Sequence, residues 1–461
     1  MMTQRVSVVG LGKLGACKAA CMASEGMDVI GVDANSKTVE LLNQGRAPVF
    51  EAGLVELIRV NRSRLRATCD YRTAVLGSDV TFIVVPTPSD EKGGFSLRYV
   101  IQAAREIGRI LAEKSDYHIV VLTSTVLPGS TQLGVLPILE QKSGKKCGRD
   151  FGMCYNPEFV ALGSVIHDLL NPDFILIGES DERAGKTLEA LYKSFCHNRP
   201  PLSRMNFVNA ELTKISINTY VTTKITFANM LANICEELPD ADIDTVSAAL
   251  GLDSRIGRRY LTGALGYGGP CFPRDNQALA YMAQELGCPA GLAESTDRMN
   301  RSLPARQSER IRKLLRPDMT VAVLGLAYKP DTNVIEESQG LALVQSLLGN
   351  GNRVIVFDPL AMDSARRVLS DEVEYAQSVQ ECLERSHAIV ITNPCKEFRA
   401  LEAEDFPRRR NPIIVFDCWR IVREKLQNCK WINYIPLGVG NHESSLALHL
   451  SRMWQEAEVS Q

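Results

Sequence analysis

The stretch Arg5-Val-Ser-Val-Val-Gly10-Leu-Gly12-Lys-Leu-Gly15 decides the first fold. A short apolar run, read as a strand, ends in GxGxxG and opens a helix. Glycines at these spacings let the backbone turn sharply and approach a pyrophosphate at a helix N-terminus, where the dipole favours an anion. The next apolar run, DVIGVD (28–33), ends in Asp33, close to the spacing of a carboxylate that binds the adenosine ribose and repels a 2′-phosphate. The pair predicts a dinucleotide domain that takes NAD rather than NADP.

Working outward, RVSVVG (5–10), DVIGVD (28–33), DVTFIVVP (79–86), HIVVLTS (118–124), GMCYN (152–156), FILIG (174–178) and MNFVN (205–209) read as buried strands. Helical patterns separate most of them, which predicts a parallel, doubly wound sheet. Residues 210–238 hold neither Gly nor Pro, and Leu212, Ile215, Val221, Ile225, Leu231, Ile234 and Leu238 recur near helical spacing. This predicts one helix of roughly 40 Å, long enough to bridge domains or form a subunit interface. Four more strands follow in MTVAVLGLAYKPDT (319–332), RVIVFDP (353–359), HAIVITN (387–393) and PIIVFDC (412–418). The expected class is α/β: an N-terminal Rossmann-type NAD domain over 1–208, a central helical domain over 209–314 and a C-terminal Rossmann-like domain over 315–461. An amphipathic SSLALHLSRMWQ (444–455) precedes what reads as a frayed tail.

The bulk numbers exclude several classes. A chain of 461 residues exceeds one ordinary core, and 45% hydrophobic with 23% charged residues is a globular composition. A net charge of −2 gives no global argument for nucleic acid or an anionic membrane. No apolar run approaches 18 residues, and the N-terminus lacks a signal peptide's apolar region. Thirteen scattered cysteines, an odd count, argue for reduced thiols in a cytoplasm. With six histidines and no CxxC pair, no metal site is expected.

One thiol stands apart. GYGGPCFPRDN (266–276) surrounds Cys271 with three glycines and two prolines, with Asp275 four residues on. Such a loop can hold one side chain at the rim of a pocket; a free Cys is otherwise most often a small buried hydrophobe. Lys214 and Asn218 share a face of the long helix at i, i+4. Glu158 in NPEF and Thr125 in STVLPGS follow strand ends, where α/β sheets place ligands. Lys329, after the single-glycine turn at Gly325, reads equally as an anion contact or a solvated lysine.

Taken in order, GLGKLG, VPTP, STVLPGS, NPEF…NPDFILIG, AELTKISINTY…KITFANMLANICE, LDSRIG, GYGGPCFPRD, GLAYKPDT and FDCWR resemble the nucleotide-sugar 6-dehydrogenases, the UDP-glucose dehydrogenase family, over nearly the whole chain. The resemblance implies four-electron oxidation of a sugar C6 alcohol, with NAD as cofactor and a nucleoside diphosphate sugar as substrate. Cys271 would be the nucleophile, Lys214 the oxyanion stabiliser and Asn218 a positioning group. Asp275 and Thr125 would order a water, and Glu158 would do acid/base work. Gly10, Gly12, Lys13, Leu14, Gly15, Asp33, Thr87 and Thr125 would hold NAD. Glu158, Lys214, Asn218, Arg255, Tyr260, Gly268, Lys329 and Arg420 would hold substrate in the third, nucleotide-sugar domain and its neighbours. Arg255 would come from the partner of a homodimer with shared sites.

Two positions depart from the family pattern. Leu162 stands where many members carry Glu, and Glu336 where many carry an NAD-directed Arg. Two rival readings are a two-electron β-hydroxyacid dehydrogenase, which lacks the thiol loop and third domain, and a non-catalytic sugar-nucleotide sensor, which need not keep a nucleophile. The sequence does not choose among UDP-glucose, UDP-N-acetylhexosamines and GDP-mannose; UDP-glucose is the leading expectation.

Overall fold

A computed structural model describes residues 4–316, 319–349 and 351–440; the amphipathic segment 444–455 lies outside them. The chain forms two compact units: Met1–Ile217 with Tyr281–Gly287, and Asn218–Ala280 with Cys288–Gln461.

The first unit is built on an eight-stranded sheet: β1 Arg5–Val9, β2 Asp28–Val32, β3 Leu65–Thr68, β4 Val80–Ile83, β5 His118–Leu122, β6 Phe151–Tyr155, β7 Ile175–Glu179 and β8 Leu202–Met205. Their order is β3-β2-β1-β4-β5-β6-β7-β8, so the chain reverses direction across the sheet between β1 and β4. Alternate residues face opposite layers: Ile119 and Val121 join one core cluster, Val120 and Leu122 the other.

Two expectations need correction. The sheet is not wholly parallel, because β6 and β7 pair antiparallel. The chain between them does not cross over the sheet; its helix Val165–Leu170 packs on the helix Lys13–Ser24. Nor is MNFVN a strand throughout. The strand ends at Met205, and Asn206 Oδ1 accepts from Asn209 N at 2.9 Å, capping the long helix Phe207–Glu237. That helix has 31 residues, about 46 Å at 1.5 Å each. Pro239 lies just beyond its end.

The second unit carries a six-stranded, all-parallel sheet: β9 Thr320–Leu324, β10 Arg353–Phe357, β11 Glu374–Tyr375, β12 Ala388–Ile391, β13 Ile413–Asp417 and β14 Ile432–Pro436, in the order β11-β10-β9-β12-β13-β14. Its first five strands repeat the order of the first sheet. The short edge strands β3, β11 and β14 have no long apolar run to mark them in sequence.

Candidate active site

At the end of β1 each fingerprint glycine has its own reason. Gly10 has φ +94°, and a Cβ there would lie 2.6 Å from the Val84 carbonyl oxygen. A Cβ on Gly15 would lie 1.8 Å from the Gly10 carbonyl oxygen, so this glycine lets helix and turn touch. A Cβ on Gly12 would meet nothing within 4 Å. Gly12 caps the helix Lys13–Ser24 with no side-chain hydrogen bond, leaving its first N–H groups for an anion. Lys13 and Leu14 are half-buried in the first turn. Asp33 accepts from Leu11 N on Oδ2 and from Asn35 N on Oδ1, both at 2.8 Å. One lone pair on each oxygen is left for a hydroxyl. Thr87 Oγ1 donates to Thr125 O at 2.8 Å, joining the loops after β4 and β5. Room at Gly12, an uncapped helix end and a carboxylate with acceptor capacity fit the ribose and pyrophosphate of NAD.

Lys214 Nζ donates to the Glu158 backbone carbonyl at 2.6 Å and sits 4.5 Å from the Phe159 ring centroid. The Glu158 carboxylate, expected in acid/base work, turns elsewhere. Its Oε1 accepts from Lys18 Nζ and from Tyr192 OH. The cause is Lys18, a fully buried lysine on the fingerprint helix that requires a counter-charge. Burial drives the Tyr192 phenol far above its ordinary range, helped by the charge of Glu158. The sequence reading missed Lys18. Its signal was a lone charge inside the small apolar run GACKAACMAS.

In the second unit Cys271 stands at the N-terminus of the helix Phe272–Glu285, where Asp275 N donates to Cys271 O at 2.9 Å. The thiol-bearing residue is exposed. Asp275, 1% exposed, accepts from Asn218 Nδ2 at 2.6 Å on Oδ2. Its Oδ1 has no hydrogen-bond partner among the described residues, with Arg274 Nε 3.5 Å away. The next residue, Asn276, donates through Nδ2 at 2.9 Å to Thr222 Oγ1, one turn beyond Asn218, so two polar rungs join this helix to the long one.

The loop before Cys271 is jammed against its neighbours. A Cβ on Gly266 would lie 2.1 Å from Asn300 Oδ1, on Gly268 2.3 Å from Glu337 O, and on Gly269 2.5 Å from the Tyr328 ring. Asn300 clasps the Tyr267 backbone, accepting from its N–H at 2.8 Å and donating to its carbonyl at 2.9 Å. Asn229 Oδ1 accepts from Ala264 N at 2.8 Å. Neither asparagine was foreseen, because both act from distant helices on the loop's backbone.

Beside this loop lies a cavity of about 300 Å³, lined by Tyr260, Gly268, Tyr328, Lys329, Asn393 and Trp419 among others. Tyr260, Asp331, Glu337 and Arg420 hold positive φ (68°, 60°, 51°, 57°), four strained residues in the loops of this unit. Arg420 does not line the cavity. Its buried guanidinium pairs with Asp244 (Nε–Oδ2 2.7 Å) and donates to Thr262 O (3.0 Å) and Leu437 O (2.8 Å). These contacts brace the Thr262 loop and use four of the five guanidinium N–H groups. Arg255 is 86% exposed and paired with Asp253. Leu162 packs against the first core, and Glu336 is exposed, giving its carbonyl to Gly269 N at 2.9 Å. No cluster among the described residues could hold a metal ion.

Models of the UDP-glucose/GDP-mannose dehydrogenase family match in three pieces: the NAD binding domain over 4–196, the central domain over 208–302 and the UDP binding domain over 322–424. The chain belongs to this family. It is similar to the UDP-glucose 6-dehydrogenase AglM of Haloferax volcanii, 38% identical over 91% of this chain and 97% of that one. The GDP-mannose 6-dehydrogenase of Pseudomonas putida is 35% identical over 86% and 92%. Among solved structures, a UDP-glucose dehydrogenase from Pyrobaculum islandicum superposes with a TM-score of 0.85, at 35% identity over 95% and 98% of the two chains. The chain is thus an NAD-dependent oxidoreductase of a nucleotide-sugar dehydrogenase family, with a third, nucleotide-binding α/β domain. No helix of the described residues is long and apolar enough to cross a membrane.

Proposed function

We propose that this chain oxidises the C6 alcohol of UDP-glucose to the carboxylate, consuming two NAD per sugar. The observation that carries the reading is Cys271: an exposed thiol at a helix N-terminus, on a glycine loop that admits no side chains, one turn from a buried Asp275 held by Asn218. The end of a helix that favours negative charge suits a thiolate nucleophile. A β-hydroxyacid dehydrogenase has no use for that loop.

When bound, NAD supplies the hydride acceptor for both oxidations. Gly10, Gly12, Lys13, Leu14 and Gly15 cradle its pyrophosphate, and Asp33 holds its ribose. Thr87 and Thr125 line the cofactor side. The Cys271 sulfur adds to the C6 aldehyde and makes a thiohemiacetal. Oxidation of that adduct leaves a thioester, which water cleaves to the carboxylate and free thiol. Lys214 stabilises the oxyanions, and Asp275, whose Oδ1 accepts no hydrogen bond among the described residues, orders the water. Tyr260, Gly268 and Lys329 hold the sugar nucleotide in the second unit's cavity.

The active form is a homodimer in the cytoplasm, its chain divided near 1–208, 209–314 and 315–461. Val208, Leu212, Tyr220, Phe227 and Ile234 are exposed on the long helix and fall within about 120° of its circumference, an apolar stripe suited to a second copy. Arg255, exposed and paired with Asp253, serves that copy's site in this reading. A panel of UDP-glucose, UDP-N-acetylhexosamines and GDP-mannose, followed by NADH absorbance, tests the substrate. Highest kcat/KM with UDP-glucose supports the reading; preference for GDP-mannose would reassign it.

A further inference from the structure

Cys271 joins two segments that are fixed separately, the glycine loop before it and the helix Phe272–Glu285 after it. The loop is held at Tyr267, whose backbone Asn300 clasps and whose carbonyl also accepts from Gln339 Nε2 at 3.3 Å. The helix is held to the long helix by the rung from Asn218 to Asp275. Asn276, 1% exposed, reaches both segments. Its Nδ2 donates one hydrogen to Tyr267 OH and the other to Thr222 Oγ1, each at 2.9 Å. The buried Thr222 hydroxyl donates to Thr219 O at 2.8 Å, which leaves its oxygen to accept from the amide. The Tyr267 ring is buried too and meets Phe272 edge-on, the centroids 6.2 Å apart. Burial drives the Tyr267 phenol above its ordinary range, and the charge of Asp297 beside it adds to the effect. The phenol therefore keeps its proton at neutral pH, and its oxygen accepts from Asn276. Both amide hydrogens are spent, one on the loop that enters the thiol and one on the long helix.

We infer that Asn276 is a positioning residue for the Cys271 sulfur. It ties the loop to the helix, and the helix to Thr222, four residues beyond Asn218, and so fixes the sulfur relative to Asn218 and Asp275. With either hydrogen bond lost, loop and helix can slip past one another. A slip on the order of 1 Å takes a nucleophile out of attack geometry. The reaction feels this at one step. The first hydride leaves an alcohol carbon without help from the sulfur, and the second leaves the carbon to which the sulfur has added. The inference rests on the proposed function, in which Cys271 captures the aldehyde.

The test compares wild type with Tyr267→Phe, Thr222→Val, Thr222→Ser, Asn276→Ala and the Tyr267→Phe/Asn276→Ala double variant. With enzyme in excess over the sugar nucleotide it oxidises, and NAD saturating, the two NADH are followed as separate steps. The first keeps its wild-type rate within about twofold in Tyr267→Phe and Thr222→Val. The second slows at least about fivefold in each, and at least about tenfold in Asn276→Ala. Thr222→Ser, which keeps the hydroxyl, keeps both rates. The double variant is no slower than Asn276→Ala, because the two changes remove the same hydrogen bond. Iodoacetamide labelling of Cys271 at about pH 7, read by mass spectrometry with no substrate present, slows at least about threefold in Tyr267→Phe, Thr222→Val and Asn276→Ala, as the sulfur leaves the helix end that favours its thiolate. Equal slowing of the two NADH steps, a Thr222→Ser enzyme as slow as Thr222→Val, or labelling unchanged in all variants each overturns the inference. Should Asn276→Ala not fold, Tyr267→Phe decides alone, since it removes one oxygen and keeps the ring. Should wild type form no NADH from any sugar nucleotide, the proposed function fails by itself, and the labelling rates still decide the role of Asn276.

Discussion

The two sheets of this protein begin with the same turn and use it for opposite ends. Gly10 and Gly325 both leave a first strand with positive φ (94° and 110°), and each N–H donates to the end of the neighbouring strand, Val32 O at 2.7 Å and Phe357 O at 2.9 Å. Gly15 and Gly340 both lie under the glycine's carbonyl, where a Cβ would come within 1.8 and 2.5 Å of it. An aspartate follows each second strand, Asp33 after β2 and Asp358 after β10. The difference is the chain between the glycines: residues 11–14 in the first turn, residues 326–339 in the second. In the short turn Asp33 receives two backbone N–H groups and keeps capacity for a ligand. In the long one Asp358, 3% exposed, receives four, from Leu326, Ala327, Leu360 and Ala361 at 2.7–2.9 Å. One turn presents a carboxylate; the other consumes it to fold an inserted loop.

The comparison breaks most visibly at Asp358. Asp358→Ala leaves four buried or half-buried N–H groups without their acceptor, and should cost on the order of 4 kcal/mol in urea denaturation. Asp33→Ala should cost about 1 kcal/mol. Equal losses would show that the two carboxylates do the same job. Next comes the packing glycine. Gly15→Ala should lose about 3 kcal/mol and also weaken NAD binding at least about tenfold, since the helix end must move. Gly340→Ala should lose about 2 kcal/mol with the NAD Kd unchanged. Smaller again is the ligand term: the NAD-over-NADP ratio of kcat/KM should fall about tenfold in Asp33→Ala and stay put in Asp358→Asn.

The last contrast is in acid. His118, on β5, is fully buried, with Nε2 against Thr81 Oγ1 at 2.8 Å. Burial, with Lys114 adding to it, pushes His118 down to about 3. The unfolded chain takes up that proton near pH 6.5, the folded chain only near 3. Stability is therefore full above about pH 6.5 and falls as the pH drops, by at most about 1.4 kcal/mol per unit for this group. Urea midpoints between pH 7 and 5 should fall less steeply in His118→Gln, and parallel slopes would remove His118 from the account.

How much of this was legible follows from where each constraint lies. The fingerprint and the thiol loop could be read because their glycines, cysteine and aspartates are close in sequence and tied to one chemistry. GVDA and VFDP look alike as strings, yet only the folded 326–339 loop shows that Asp358 is spoken for. Lys18 reads as a helix lysine until the helices around it bury it against the Glu158 carboxylate. Arg420 carries a family motif, but its direction is set by Asp244, 176 residues away. MNFVN looks like a strand because Asn206 as a helix cap is invisible to an apolar pattern.

The most direct test is the stoichiometry of NADH with and without the Cys271 sulfur. Wild type should form two NADH per UDP-glucose, and sugar nucleotide should slow its inactivation by a thiol alkylator. Cys271→Ala should still bind NAD and UDP-glucose while losing steady-state formation of the uronic acid by at least about a thousandfold. A Cys271→Ala enzyme that turns over near the wild-type rate with two NADH per sugar would contradict the covalent account.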